Sequence, residues 1–129
     1  MPIPEEYIDN TITQAHVLAQ LEQDVGSLTL VRLVNLFINE LEEMRVRLKN
    51  AVDEQDEDNI KDIMHVLKNS AALYGALTLA ALASQLHDYP PVTIEENIHA
   101  AQIVQHNLEK THAAYQVIAN NITLSLIHI

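Results

Sequence analysis

The residues with the most chemistry to offer lie in one stretch of this 129-residue chain, from Ile60 to Tyr74. His65 stands there between Lys61 and Lys68, and after position 50 the only other basic residue is Lys110. On a helical wheel advancing about 100° per residue, Ile60, Ile63, Met64, Leu67, Ala71 and Tyr74 share one apolar stripe, and His65 falls roughly 150° from its centre. His65 is therefore expected to face solvent. Lys61 lies one turn before it on the same face, Lys68 one turn after and Ala72 two turns after. An imidazole between two ammonium groups makes a poor metal site, because the cations repel a metal ion. It suits an imidazole that carries a phosphoryl group, which brings close to two negative charges. Ala71 and Ala72 are small, so a partner surface can approach closely. The same pattern also fits an ordinary surface histidine with two solvated lysines.

The remaining histidines offer less. His99 and His106 are seven residues apart, about 10 Å along one helix face, too far to share an ion. No pair of histidines has the four-residue spacing of a helical metal site. His16 and His112 read as surface or interfacial, and His128 lies in the terminal tail. No metal site is expected. The absence of cysteine excludes disulfides, zinc knuckles, iron–sulfur clusters and thiol catalysis. Seven basic against eighteen acidic residues give a formal charge of −11, which disfavours nucleic acid and anionic membrane surfaces as partners. There is neither a glycine-rich phosphate loop nor a nucleotide motif, so ATP binding and hydrolysis are not expected.

The elements that must position His65 read as helices. Apolar residues make up 48 % of the chain, with only two glycines, and the apolar periodicity is helical throughout. A short first helix runs through Ile8, Ile12, Ala15, Leu18 and Leu21 and ends near Gly26, and the tyrosines and the phenylalanine fall mainly on apolar stripes. Ser27 is placed to cap a long second helix through Leu30, Val34, Phe37, Leu41, Met44, Leu48 and Ala51. The acidic run Asp53–Asp58 reads as a solvated turn whose carboxylates favour the start of a third helix near Asp56. That helix continues to about Tyr74, and Gly75 separates it from a fourth through Leu79, Leu82, Ala83 and Leu86, stopped by Pro90–Pro91. Thr93 and Glu96 form a capping box for the last helix, which Asn120–Asn121 is expected to end. The fold class is all-α: an antiparallel four-helix bundle with an additional short N-terminal helix, occupying one domain over residues 1–123. Leu124 to Ile129 (LSLIHI) reads as the translation of a sequencing-library adaptor, hence a non-native tail, or else as a short apolar terminus. The N-terminal MPIPEEYIDN has no signal-peptide pattern and no apolar run is long enough to span a bilayer, so a cytoplasmic location is expected.

The string from His65 to Ala76, HVLKNSAALYGA, resembles the histidine-containing phosphotransfer (HPt) domain. That family's pattern is a histidine, leucine two on, lysine three on, small residues next, and Gly-Ala at ten and eleven. Every position matches. The stretch LVNLFINELEEMRVRLKNAV is similar to the family's long second helix, and the resemblance covers roughly residues 8 to 120. The Ser-Ala-Ala and aromatic-Gly-Ala wording most resembles the small stand-alone LuxU-type members of bacterial quorum-sensing relays. One position departs: four after the histidine the family often has glycine, and Asn69 stands here. Asn69 adds bulk to the docking surface that it shares with Ala72, and a possible hydrogen bond to the phosphoryl group.

The resemblance implies that His65 accepts a phosphoryl group from an aspartyl phosphate on a receiver domain and returns it to another receiver. The partners would be receiver domains of a hybrid sensor kinase and of a response regulator, and the protein a monomer. Lys68, and with it Lys61, would oppose the charge of the transferring oxygens. No cofactor is expected in this chain; the magnesium ion would belong to the receiver. An imidazole, with an ordinary pKa of about 6.5, offers a nucleophilic nitrogen near neutral pH. Gly75 would turn the chain so that Gln85 to His87 return to the level of His65, where Gln85 or His87 could orient its ring or stand as plain surface groups. Three other readings compete: a helical docking or adaptor module using the same face without phosphotransfer, an enzyme using His65 as general base, and a purely structural role. The enzyme needs an enclosed pocket, and His65 is expected on a convex helix face. The structural role leaves the paired lysines unexplained.

Overall fold

The computed structural model of the chain describes residues 15–127, and five helices account for nearly all of them. They are α1 (Ala15–Val25), α2 (Ser27–Asp53), α3 (Glu57–Leu73), α4 (Leu77–Asp88) and α5 (Ile94–Ile127). Of the first-helix stripe, Ile8 and Ile12 lie outside the described residues, as does His128. Helices α2 to α5 form the expected antiparallel bundle, and α1 packs on α2. The pairings show the directions. Phe37 meets Tyr115 and Glu42 meets His112, so position rises on α2 as it falls on α5. Arg47 on α2 bonds Asn59 on α3 across the acidic turn, and Lys68 on α3 reaches Asp88 at the end of α4.

The apolar stripes of the four helices close on one core that includes Leu30, Leu41, Leu48, Ile60, Met64, Leu67, Leu79 and Leu108, all essentially inaccessible to solvent. Ala71 belongs to this core and is therefore withdrawn from any partner, whereas Ala72 is exposed. Within it, Phe37 stacks on Tyr74 at a centroid distance of 4.5 Å and meets Tyr115 edge-on at 5.0 Å. The buried Tyr115 hydroxyl donates to the Tyr74 carbonyl at 2.6 Å, which ties α5 to the last turn of α3. Among the described aromatic residues Tyr89 is the exception and is 80 % exposed.

Local signals set the ends of most helices. The Asp56 side chain accepts from the Asn59 amide at 3.1 Å, and Glu57 and Asp58 fill the first turn of α3, where the helix dipole favours negative charge. Thr93 Oγ1 accepts from the Glu96 amide at 3.2 Å at the head of α5. At the end of α3 the Ala76 amide donates to Ala71 (2.9 Å) and the Gly75 amide to Ala72 (3.2 Å), the paired bonds of a Schellman motif. Gly75 stands there at φ 84°, a conformation that β-branched side chains resist. Gly75→Val is therefore expected to cost about 1–3 kcal/mol and to lower Tm by several degrees. An unchanged melting temperature would mean that the turn relaxes to another geometry.

Two ends differ from the sequence expectation. Ser27 does not cap α2: Gly26 (φ 86°) holds the cap position, and the Ser27 hydroxyl donates back to Glu22 on α1 at 3.3 Å. The last helix does not stop at Asn120–Asn121 but runs on to Ile127. Asparagine inside a helix costs only about 0.7 kcal/mol against alanine, while burying an isoleucine stabilises by about 1.5–3 kcal/mol. Ile118 and Ile122 on either side of the pair are fully buried and Leu126 packs against the core, so packing carries the helix through.

Candidate phosphoryl-carrier site

His65 projects from the middle of α3 into solvent, opposite the stripe formed by Ile60, Ile63, Met64, Leu67 and Ala71. Lys61, one turn earlier, is exposed and has no ion-pair partner among the described residues. Asn69 is exposed, and its side-chain amide donates back to the His65 carbonyl at 3.2 Å. That bond uses one of the two N–H donors of an exposed side chain and leaves the other available.

The three-residue turn at Tyr74–Ala76 sends α4 back along α3, as the hairpin expectation required. The His87 ring arrives with its centroid 5.3 Å from that of His65, the planes inclined by 39°. Gln85, the other expected neighbour, is exposed, and among the described residues no hydrogen bond joins its side chain to His65. His87 is half-buried, and its Nδ1 lies 2.8 Å from Asp88 Oδ1. A carboxylate brings no proton to such a contact, so the His87 Nδ1–H donates and Nε2 is left as the other ring nitrogen.

Lys68 does not stand free beside His65. Its Nζ lies 3.2 Å from Asp88 Oδ1 and also 3.2 Å from His87 Nδ1. With the proton on Nδ1, the second approach is between two donors, and Asp88 is the partner that holds the lysine. Ser84, one turn back on α4, donates to Asp88 Oδ2 at 3.1 Å. Asp88 thus gathers three donors, and the His87, Lys68 and Ser84 bonds together hold its carboxyl down to about 2. The contribution of these contacts to stability is complete above the ordinary value of 3.8 and is lost as pH falls through about 2. A 13C titration of the Asp88 carboxyl is expected to show a midpoint near 2; one near 3.8 would mean that the three donors do not engage it in solution.

Asp88 and Ser84 were not among the residues singled out from the sequence. The available signal was the reflection about Gly75 that places His87 opposite His65, since it brings the residue beside His87 to Lys68. The other histidines lie apart from this face: His16, His99 and His106 are exposed, and His112 sits 3.6 Å from Glu42 between α2 and α5. Arg45 bonds the same Glu42 through Nη2 at 2.7 Å and Nε at 2.9 Å, and holds its carboxyl below the usual range. Among the described residues no three histidine, aspartate or glutamate side chains gather to hold a metal ion.

The site presents one exposed imidazole on a convex helix face, a cation one turn away, and a second imidazole beside it. Comparison with known proteins agrees with the chemistry this permits. The Hpt domain profile matches residues 32–120, which takes in most of α2, all of α3 and α4, and α5 as far as Asn120. The phosphorelay protein LuxU of Vibrio cholerae serotype O1 is 32 % identical over 98 residues, covering 74 % of this chain and 85 % of its own. The crystal structure of histidine-containing phosphotransfer protein B from Pseudomonas aeruginosa PAO1 shares the fold, with a TM-score of 0.70 at 19 % identity over 84 % of this chain and 91 % of that one. The bundle, the exposed histidine of α3 and these matches together place the chain in the Hpt domain family, as a histidine phosphotransfer protein of the phosphorelay type.

Proposed function

We propose that His65 is the residue that carries the phosphoryl group, taking it from an aspartyl phosphate of one receiver domain and giving it to the aspartate of another. The observation that carries this reading is the exposure of His65 on the convex face of α3, with Lys68 one turn away inside the Hpt match. Receiver aspartates sit in a partner's own site, so the accepting nitrogen must protrude from this chain rather than lie in a pocket. In the forward step a ring-nitrogen lone pair, Nε2 by the family resemblance, attacks phosphorus. The P–O bond to the aspartyl carboxylate breaks, its electron pair stays on that carboxylate, and the proton on the other ring nitrogen is retained. The reverse step delivers the group to the next receiver. Lys68 and Lys61 oppose charge on the transferring oxygens, which is electrostatic and positional work. His87 orients the His65 ring, and Asn69 and Ala72 form the surface on which a receiver settles.

In this reading the chain is a carrier that neither binds ATP nor acts as a kinase, and it needs no cofactor of its own; magnesium belongs to the receiver. The partners are the receiver domains of a hybrid sensor kinase and of a response regulator. The protein works as a cytoplasmic monomer. Among the described residues no helix is long and apolar enough to cross a membrane. The similarity to LuxU supports a relay of the quorum-sensing kind.

The experiment is transfer from a radiolabelled receiver domain. Label that is acid-labile and base-stable, and that ATP alone does not supply, is the expected result. Receivers that bind the protein but leave it unlabelled would establish a docking module instead. Lys68→Ala is expected to slow single-turnover transfer by about 10-fold or more while leaving the fold intact, since Lys68 contacts only surface groups. Equal rates would remove the lysine from the transfer step.

A further inference from the structure

Phosphoryl transfer at His65 uses an imidazole and a cation, and gains nothing evident from a carboxylate. Yet Asp88 stands within the cluster as a charged group and takes the cation for itself, with Lys68 Nζ at 3.2 Å. We infer that Asp88 is a positioning residue that holds Lys68 in reserve, and that the arriving phosphoryl group draws the lysine away from it; this rests on His65 being the phosphorylated residue.

The geometry provides both ends of the exchange. Lys68 follows His65 by three residues on α3, so its flexible side chain can turn toward either the imidazole face or the end of α4. The phosphoryl group brings close to two negative charges against the single charge of Asp88, so it competes well for the ammonium. When Lys68 leaves, Asp88 is not stranded: Ser84 Oγ still donates to Oδ2 at 3.1 Å and His87 Nδ1–H to Oδ1 at 2.8 Å. These bonds from α4 fix the carboxylate in place, so its charge stays beside the site and opposes the phosphoryl charge through the transfer. Its charged state across the neutral range follows from the same donors. No bond to Asp88 forms or breaks. Its effect is on the balance between phosphorylated and free His65, keeping the group easy to pass on.

The test needs no receiver. Phosphoramidate serves as a small phosphodonor, and 31P NMR measures the ratio of phosphohistidine to free protein at the plateau for the full chain and its variants. Asp88→Asn is expected to raise that ratio on the order of 3–10-fold, the size of one charge interaction near a protein surface. Asp88→Glu restores the wild-type ratio if charge is what matters, an outcome that loss of local structure would not produce. In a Lys68→Ala background the gain from Asp88→Asn shrinks, because there is no lysine left to release. A ratio at or below wild type for Asp88→Asn, or an undiminished gain without Lys68, overturns the inference while leaving His65 as the carrier. Failure of the wild-type protein to form phosphohistidine overturns both.

Discussion

Replacing His65 with glutamine is expected to abolish phosphoryl labelling, a loss of more than about 10³-fold, with little change in melting temperature. Glutamine keeps polarity and approximate length but has no nucleophilic nitrogen, so no covalent phosphoryl intermediate can form at this position. The fold should not notice, because His65 is exposed and its side chain lies outside the core that Ile63, Met64 and Leu67 build on the opposite face of α3. The measurement is transfer from a labelled receiver, followed in parallel with thermal melting. His87 makes this more than a formality, since its ring lies 5.3 Å from that of His65. Label that persists in His65→Gln and disappears only when His87 is also replaced would move the acceptor to α4.

The second large effect is on stability. Tyr115→Ala is expected to cost about 3–5 kcal/mol, a large fraction of the 5–15 kcal/mol typical of a whole domain. Tyr115 is fully buried, meets Phe37 edge-on, and gives its hydroxyl proton to the Tyr74 carbonyl at 2.6 Å. Truncation removes the ring from between α2 and α5 and leaves a carbonyl at the end of α3 without this donor. Tyr115→Phe separates the two contributions. It keeps the ring and is expected to lose about 1–3 kcal/mol, the cost of an orphaned buried acceptor. Urea denaturation of the two variants decides the matter. Equal losses in both would show that the ring packing contributes little and that the hydroxyl dominates.

The helical periodicity of this chain is local information, and so are its caps. Ile60, Ile63, Met64, Leu67 and Ala71 recur at helical spacing, which alone placed His65 on the solvent face. Asp56 and Thr93 act within three residues of their own position, so their roles were legible without any tertiary contact. The capping role expected of Ser27 failed because Gly26 can adopt a positive φ and take the cap position itself. The stop expected at Asn120–Asn121 failed for a different reason. Asparagine is only a weak helix breaker, and the burial of Ile118 and Ile122 is the larger effect.

Sequence by itself determined the all-α class, the order of the helices, the turn at Gly75 and the exposed histidine with lysines on either side, because each follows from spacing along one element. Tertiary structure alone decided what surrounds that histidine. Lys68 and Asp88 are 20 residues apart and His65 and His87 are 22 apart, separations bridged only because α4 folds back on α3. A sequence shows that Lys68 can oppose a phosphoryl charge, but not that a carboxylate from the neighbouring helix already holds it. The partner of a long, flexible side chain is set by what the packed core brings within reach, and no single helix carries that information.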